Sequence, residues 1–119
     1  VGEDLCYLVM ELADYDLRRY LSDKKDELQW EKKIEIAIQL AEGVSYIHNI
    51  MNVAHRDLHT KNILVKQGDI KITDFGLSKN LNGVISSKSA IFGVLPFIDP
   101  LKFSDSSYKL NRKSDIYSL

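Results

Sequence analysis

The sequence predicts an α+β domain in which helix predominates over these 119 residues. From about residue 29 to residue 49, apolar side chains recur every three or four positions, which is the period of an α-helix. Further along, two short β-type runs at 63–65 and 70–72 flank Gln67-Gly68-Asp69, a typical hairpin turn. A long helix followed by a local antiparallel hairpin is typical of the α+β class.

The other predicted elements are shorter. Residues 5–10 form a nearly continuous apolar run of strand length, and residues 17–21 form a short helix with leucines one turn apart. The long helix carries apolar side chains on two faces, so we expect both faces to be buried, one of them only if further helices of the domain cover it. Gly, Asn and Ser are dense over residues 78–89, which indicates a loop. Ser114 is the predicted N-cap of a last helix, with Asp115 in its first turn.

The composition limits the classes of partner. Sixteen basic and seventeen acidic residues, without a basic stripe, give no reason to expect nucleic acid or an anionic membrane surface. No apolar run approaches the roughly 18 residues of a membrane span. The single cysteine, Cys6, cannot form an internal disulfide, so we expect a reducing, cytoplasmic location and a buried, unreactive thiol. The sequence indicates no particular oligomeric state.

Two carboxylates and one carboxamide, Asp57, Asp74 and Asn62, have a spacing along the chain that can bring them together in one site. Asp57 and Asn62 lie five residues apart in a predicted loop, and Asp74 follows beyond the hairpin. The ends of a hairpin meet, so Asn62 and Asp74 should lie side by side with Asp57 opposite. Two oxygen ligands suit Mg²⁺, which completes its shell with water and phosphate oxygens, and the remaining carboxylate can accept a proton. The spacing predicts a phosphoryl-transfer site.

Two motifs carry a family resemblance. Residues 55–62 (His-Arg-Asp-Leu-His-Thr-Lys-Asn) and 74–76 (Asp-Phe-Gly) resemble the catalytic loop and metal-binding motif of eukaryotic protein kinases. The resemblance covers nearly the whole chain and implies a partial protein kinase domain. Residues 1–13 would be the last strand of the N-terminal lobe and the hinge, and residues 14–119 the first half of the mainly helical C-terminal lobe. No glycine-rich phosphate loop and no Val-Ala-x-Lys strand occurs in the sequence, so the isolated chain is expected to be inactive.

The resemblance implies a role for each residue of the loop. Asp57 is the expected base for the substrate hydroxyl, and Arg56 is suited to pair with a phosphate on a neighbouring loop. Asn62 and Asp74 are the expected Mg²⁺ ligands. His59 stands where serine/threonine kinases usually have a lysine, so it either stabilises the transferring phosphate more weakly or serves when protonated.

The resemblance also implies ATP as the cofactor. The expected nucleotide contacts are Met10 behind the adenine, Glu11 and Ala13 in the hinge, Asp16 at the ribose and Leu64 beneath the adenine. For Met10 the alternative is a core-filling side chain. His55 is expected to pack on Phe75, His48 to be a packed or capping residue, and Asp115 to bind the backbone of the catalytic loop.

The closing part of the predicted loop departs from the family pattern. Val94 stands where a threonine often contacts the catalytic aspartate, and Leu101 replaces a glutamate that pairs with an arginine, a role for which Asp99 is a partial substitute. Residues 77–79 resemble tyrosine-kinase-like serine/threonine kinases, so the expected function is transfer of the γ-phosphate of ATP to Ser or Thr of a protein. The alternatives are a pseudokinase or truncated fragment that acts as a binding or scaffolding module. We also expect activating phosphorylation at serines of the loop, namely Ser78, Ser86, Ser87 or Ser89.

Overall fold

The computed structural model describes residues 7–80 and 94–119, and it confirms the mixed helix and strand architecture. Two short 3₁₀ turns, Phe75–Leu77 and Leu95–Phe97, stand apart from the regular elements. The helices and strands, in chain order, are β1 (Tyr15–Asp16), α1 (Leu17–Asp23), α2 (Trp30–Asn49), β2 (Val53–Ala54), β3 (Ile63–Lys66), β4 (Asp69–Ile72), β5 (Lys79–Asn80), α3 (Leu101–Ser104) and α4 (Arg112–Ser118).

The predicted hairpin is confirmed as β3 and β4, which pair antiparallel with Ile63 opposite Ile72. Gln67 and Gly68 form its two-residue loop, and both have positive φ, 51° and 92°. A loop with two positive φ angles has the twist that two antiparallel strands need, and glycine adopts such angles without strain. β1 lies on the other side of β3, so the three-stranded sheet has the order β1-β3-β4.

A second, two-stranded sheet joins β2 to β5, with Val53 opposite Asn80 and Ala54 opposite Lys79. β2 immediately precedes the 55–62 motif, and β5 comes soon after the 74–76 motif. This pairing therefore brings the chain beyond the second motif back to the start of the first.

The core lies between α2, α1 and the hairpin. Gln39 on α2 accepts a hydrogen bond from the backbone N–H of Ile70 at 2.8 Å, so the helix is also bonded directly to β4. Helix and strand approach closely at Gly43, where a Cβ would lie 2.9 Å from Cδ1 of Ile72. The buried apolar side chains of this core are Leu17, Ile36, Leu40, Ile63 and Val65.

In the described part of the chain, α2 is buried on one face only, which agrees with the expectation that its second face needs further helices to cover it. One face is buried and includes Ile36, Leu40 and Val44. On the other, Trp30 and Ile38 are 69% and 52% exposed, because no element of the described part packs over them. Among the helices in residues 7–80 and 94–119, none combines the length and apolar composition that crossing a bilayer requires.

The strand predicted over residues 5–10 does not form in its described part. Residues 7–10 have no regular secondary structure, and Tyr7, Leu8 and Val9 are 81%, 82% and 92% exposed. A β-strand exists only through hydrogen bonds to a neighbouring strand, and none lies beside these residues among those described. An apolar run predicts the tendency to form a strand but does not supply its partner.

The N-cap of α4 is Asn111 and not Ser114, so that prediction is wrong by one turn. Asn111 Oδ1 accepts the N–H of Lys113 at 2.8 Å, while Ser114 Oγ accepts the N–H of Asn111 at 3.2 Å. The two side chains form a reciprocal capping box. Asp115 lies in the first turn of α4, as predicted.

Replacement of Ile36 tests the assignment of this core. Ile36 is 5% exposed, and we expect Ile36→Ala to lower the free energy of unfolding by about 2–5 kcal/mol, against about 0.5–1.5 kcal/mol for the matched change Ile36→Val. Urea unfolding of the complete domain that contains this chain measures both. A cost below about 1 kcal/mol for Ile36→Ala would mean that Ile36 is not a core residue.

Candidate active site

The carboxylate of Asp115 holds the start of the 55–62 loop. Asp115 is fully buried; its Oδ2 accepts the N–H of His55 at 2.8 Å, and its Oδ1 accepts the N–H of Arg56 at 2.7 Å. Nε2 of His48, at the end of α2, lies 2.7 Å from Oδ2 and donates the third hydrogen bond. The expected binding of Asp115 to the loop backbone is therefore present, and His48 is a packed residue.

His55 is a structural residue of the loop. It is 1% exposed, and its ring lies 4.9 Å from that of Phe75, as expected. Its Nδ1 accepts the N–H of Asp57 at 3.3 Å, so the ring hydrogen is on Nε2, which donates to the carbonyl oxygen of Thr73 at 3.0 Å. Both ring nitrogens are occupied, so His55 is not free to act as a base.

Asp57 and Asn62 form one hydrogen-bonded unit. Nδ2 of Asn62 donates to the backbone oxygen of Asp57 at 2.9 Å and to its Oδ2 at 3.1 Å. The Asn62 side chain is buried, and its Oδ1 has no donor among the described residues. The amide therefore fixes Asp57 with its nitrogen and keeps its oxygen available for a cation.

Asp74 is brought next to Asn62 by the hairpin, as predicted. The N–H of Thr73 donates to the carbonyl oxygen of Asn62 at 2.9 Å, so the two chain ends are bonded one residue before Asp74. Asp74 has a left-handed backbone, φ 64° and ψ 74°, and its Oδ1 accepts the N–H of Gly76 at 3.2 Å. A non-glycine residue held in this region costs about 1–3 kcal/mol and is commonly found at functional sites.

The side-chain oxygens of Asn62 and Asp74 suit a Mg²⁺ ion whose coordination shell is completed by phosphate and water. Within residues 7–80 and 94–119, no group of three or more His, Cys, Asp or Glu side chains could hold a metal ion by itself. Mg²⁺ is commonly bound by one or two protein oxygens, with substrate phosphates and water completing the shell. Asn62 and Asp74 can supply that number.

His59 faces Asp57 from the side opposite Asn62. It is 9% exposed, and its Nδ1 accepts the N–H of Lys61 at 3.2 Å. The hydrogen of the neutral ring is therefore on Nε2, which lies 3.6 Å from Oδ1 of Asp57. That distance is long for a hydrogen bond, but catalytic contacts often tighten only when substrate binds.

Arg56 precedes Asp57, the candidate base, and has a backbone φ of 72°. Its Nε is buried and has no hydrogen-bond partner among the described residues. Pairing of Arg56 with a phosphate stays a prediction, because Ser86, Ser87 and Ser89 lie outside the described residues. Ser78 is described, and its hydroxyl donates to the carbonyl oxygen of His55 at 3.2 Å.

The predicted hinge residues, Met10, Glu11 and Ala13, are less buried than the residues of the catalytic loop. Met10 is 67% exposed, so in the described part it neither fills a core nor closes the back of a pocket. Ala13 is half-buried. Glu11 pairs with Lys66 at 2.8 Å, and this hydrogen bond, together with the positive charge of Lys66, lowers the pKa of Glu11.

Asp16 and Leu64, the two remaining predicted nucleotide contacts, lie opposite each other on β1 and β3. Asp16 is also the N-cap of α1, where its Oδ1 accepts the N–H of Arg19 at 2.8 Å. The capping bond fixes the side chain of Asp16 and leaves its second oxygen for another donor. A ribose contact here stays a prediction.

Asp99 holds the closing segment, residues 94–101, and pairs with no arginine among the described residues. Asp99 is buried, and its carboxylate accepts hydrogen bonds from the Tyr108 hydroxyl at 2.7 Å, the Ser114 hydroxyl at 3.0 Å and the N–H of Leu101 at 3.0 Å. Burial raises the pKa of Asp99, but these three donors together lower it more, so its net pKa is below the usual value. This stabilisation is present above the ordinary aspartate pKa of about 3.9 and is lost as the pH falls through the lowered value.

Tyr108, which donates to Asp99, is a residue of the site that the sequence did not predict. Its hydroxyl bonds a carboxylate nine residues earlier and also accepts Asn111 Nδ2 at 3.2 Å. A single tyrosine in a serine-rich loop carries no pattern that indicates such a partner.

Comparison with known sequences decides the family. The profile of the protein kinase domain matches residues 2–119. The chain belongs to the protein kinase family. The kinase match covers both described parts of the chain and the segment between them.

The relatives of this kinase-family chain include plant receptor-like kinases. It is 37% identical over 124 residues to receptor-like protein kinase ANXUR1 of Arabidopsis thaliana, which is 98% of this chain and 14% of that protein. It is 34% identical over 124 residues to receptor-like protein kinase At3g21340 of the same species, with the same coverage. It is 36% identical over 108 residues to LRR receptor-like serine/threonine-protein kinase ER2 of Oryza sativa subsp. japonica, which is 87% of this chain and 11% of that protein. The chain thus spans about a seventh or less of the length of these relatives.

Asp115→Asn tests the anchor of the loop. An amide has one acceptor oxygen and turns an NH₂ group toward at least one of the three donors, so we expect a loss of about 3–5 kcal/mol in the free energy of unfolding. Asp69→Asn, an exposed position in the hairpin, is the matched control and should change it by less than about 0.5 kcal/mol. Equal effects of the two changes in urea unfolding would contradict the anchoring role.

Proposed function

We propose that the protein containing this chain is a kinase that transfers the γ-phosphate of ATP to a serine or threonine hydroxyl of a protein substrate. One observation carries the proposal. Asn62 donates twice to Asp57 with its side chain, and its backbone is bonded to Thr73, the neighbour of Asp74. A candidate base and two candidate metal ligands are thus parts of one hydrogen-bonded unit.

The residues of the chain divide the chemistry among them. Asn62 Oδ1 and the carboxylate of Asp74 would hold Mg²⁺, which when bound neutralises charge on the phosphates of ATP. Asp57 aligns the acceptor hydroxyl and accepts its proton late in the transfer. A carboxylate is a sufficient base because the transition state is loose and the proton leaves after the bond to phosphorus has begun to form.

His59 completes the support of Asp57 in this proposal. Asn62 holds one carboxylate oxygen, and the Nε2–H of His59 faces the other. A neutral imidazole here orients the base and brings less positive charge to the transferring phosphate than a lysine would. Arg56, whose charge is permanent, remains the proposed partner of a phosphate on the neighbouring loop.

The nucleotide is proposed to lie along the β1–β3 side of the sheet, with the adenine between Leu64 and the backbone of Glu11 and Ala13. Asp16 and Leu64 are already neighbours, which supports a common ligand. Met10 would have to close over the adenine from its present exposed position. The single cysteine supports a reducing, intracellular location, and the balanced charge supports a protein rather than a nucleic acid as partner.

A binding or scaffolding module is the second candidate. His59 and Val94 favour it, because both depart from residues that usually assist phosphate transfer. The joined arrangement of Asp57, Asn62 and Asp74 favours the enzyme, because a module without catalysis has no need of it. A glycine-rich loop and a strand lysine elsewhere in the protein would discriminate between the two.

Asp57→Asn tests the base in the kinase domain that contains this chain. We expect kcat to fall by about 10²–10⁴, because the amide cannot accept the proton. The affinity for ATP should stay nearly unchanged, because residue 57 is not among the proposed nucleotide contacts. Turnover with radiolabelled ATP and a peptide library measures the rate, and analysis of the product should show phosphoserine or phosphothreonine. Asp69→Asn is the control of equal charge change. Full turnover by Asp57→Asn would exclude Asp57 as the base, and a mainly phosphotyrosine product would exclude the proposed acceptor.

A further inference from the structure

The catalytic loop and the closing segment, residues 94–101, are fixed to two adjacent residues of α4. Asp115 binds the backbone of the loop through His55 and Arg56. The adjacent Ser114 donates its hydroxyl to Asp99 at 3.0 Å. The first turn of α4 therefore sets the position of the closing segment relative to the base.

Asp99 is the centre of the second attachment. A buried carboxylate needs donors for its oxygens, and Asp99 receives them from Tyr108, Ser114 and Leu101. Tyr108 is itself held in place, because its backbone oxygen accepts the ammonium of the buried Lys102 at 2.8 Å. The hydrogen bonds from Tyr108 and Ser114 join Asp99 to residues that lie 9 and 15 positions further along the chain.

Residues 94–98 lie against the catalytic loop. The ring of Phe97 lies 6.4 Å from that of His59, and the carbonyl oxygen of Phe97 accepts the Ser118 hydroxyl at 2.6 Å. Val94, Phe97, Asp57 and Leu58 line one small cavity. A substrate side chain that approaches Asp57 through this cavity passes beside the segment.

We propose that Asp99, through Tyr108 and Ser114, is the positioning residue of the surface that receives the protein substrate next to Asp57. The inference rests on the proposed function. Asp99 lines the same small cavity as Asp57, but no hydrogen bond among the described residues joins it to the base or to the candidate metal ligands. The candidate nucleotide contacts lie on β1, β3 and the residues before β1. Loss of Asp99 therefore weakens binding of the acceptor and leaves binding of ATP intact.

The test compares two Michaelis constants in the complete kinase domain. We expect Asp99→Ala to raise KM for an acceptor peptide about tenfold or more, the equivalent of one charge-assisted hydrogen bond, with KM for ATP changed less than about twofold. Tyr108→Phe should raise KM for the peptide by a smaller factor. The double variant should be no worse than Asp99→Ala alone, because both changes remove the same interaction.

Two matched controls lie outside this network. Asp69→Ala removes an exposed carboxylate from the hairpin, and Tyr117→Phe removes an exposed hydroxyl from α4. Both should leave the two Michaelis constants unchanged. Equal rises in KM for peptide and for ATP in Asp99→Ala, or additive effects of the two single changes, would overturn the positioning role.

Amide hydrogen exchange separates this inference from the proposed function, because it needs no turnover. In Asp99→Ala, the amides of residues 94–101 should exchange about tenfold faster or more, while those of α2 should keep the wild-type rate. Faster exchange throughout the domain, or no change in residues 94–101, would overturn the inference even in a protein that transfers no phosphate. Absence of transfer by the wild-type domain, with the local exchange effect present, would instead refute the proposed function alone.

Discussion

The buried carboxylate of Asp115 is the interaction on which the rest of the site depends. It binds His48 at the end of α2 and the two backbone N–H groups that open the catalytic loop. A buried charge is tolerated only where donors surround it, so the loop and the helix are each necessary to the other. Asp57 follows these two residues in the loop. Asn62 directly precedes the hairpin, and Asp74 follows it, so the hairpin brings Asp74 back beside Asn62. The residue that positions the whole site therefore has no part in the proposed chemistry itself.

Strain in the site is balanced by these bonds. Arg56 and Asp74 both have positive φ, 72° and 64°, which ordinary residues rarely adopt. Arg56 is held by the bond from its N–H to Asp115, and Asp74 by the bond that it accepts from Gly76. Strained residues beside a candidate base and metal ligand indicate an arrangement maintained for function and not for stability alone.

Local patterns in the sequence predicted what local interactions determine. The period of α2 and the turn at Gly68 each depend on neighbours in the chain, and both were predicted correctly. The strand at residues 5–10 was not, because it needs a neighbouring strand that the described residues do not supply. Serine and asparagine are equally good N-caps, so residue type alone does not distinguish Ser114 from Asn111, and the reciprocal bond between them is a property of the folded helix end. The attachment of Asp99 to Tyr108 is a tertiary contact without a sequence pattern.

In the proposed site, Asn62 and Asp74 are two ligands of one metal ion beside Asp57. Crystals of the complete kinase domain with Mn²⁺ and a non-hydrolysable ATP analogue would locate this ion, since the anomalous signal is independent of the fitted coordinates. We expect a peak within about 2.0–2.3 Å of both Asn62 Oδ1 and a carboxylate oxygen of Asp74, with phosphate oxygens completing the shell. A nucleotide-bound domain whose metal peak contacts neither side chain would contradict it.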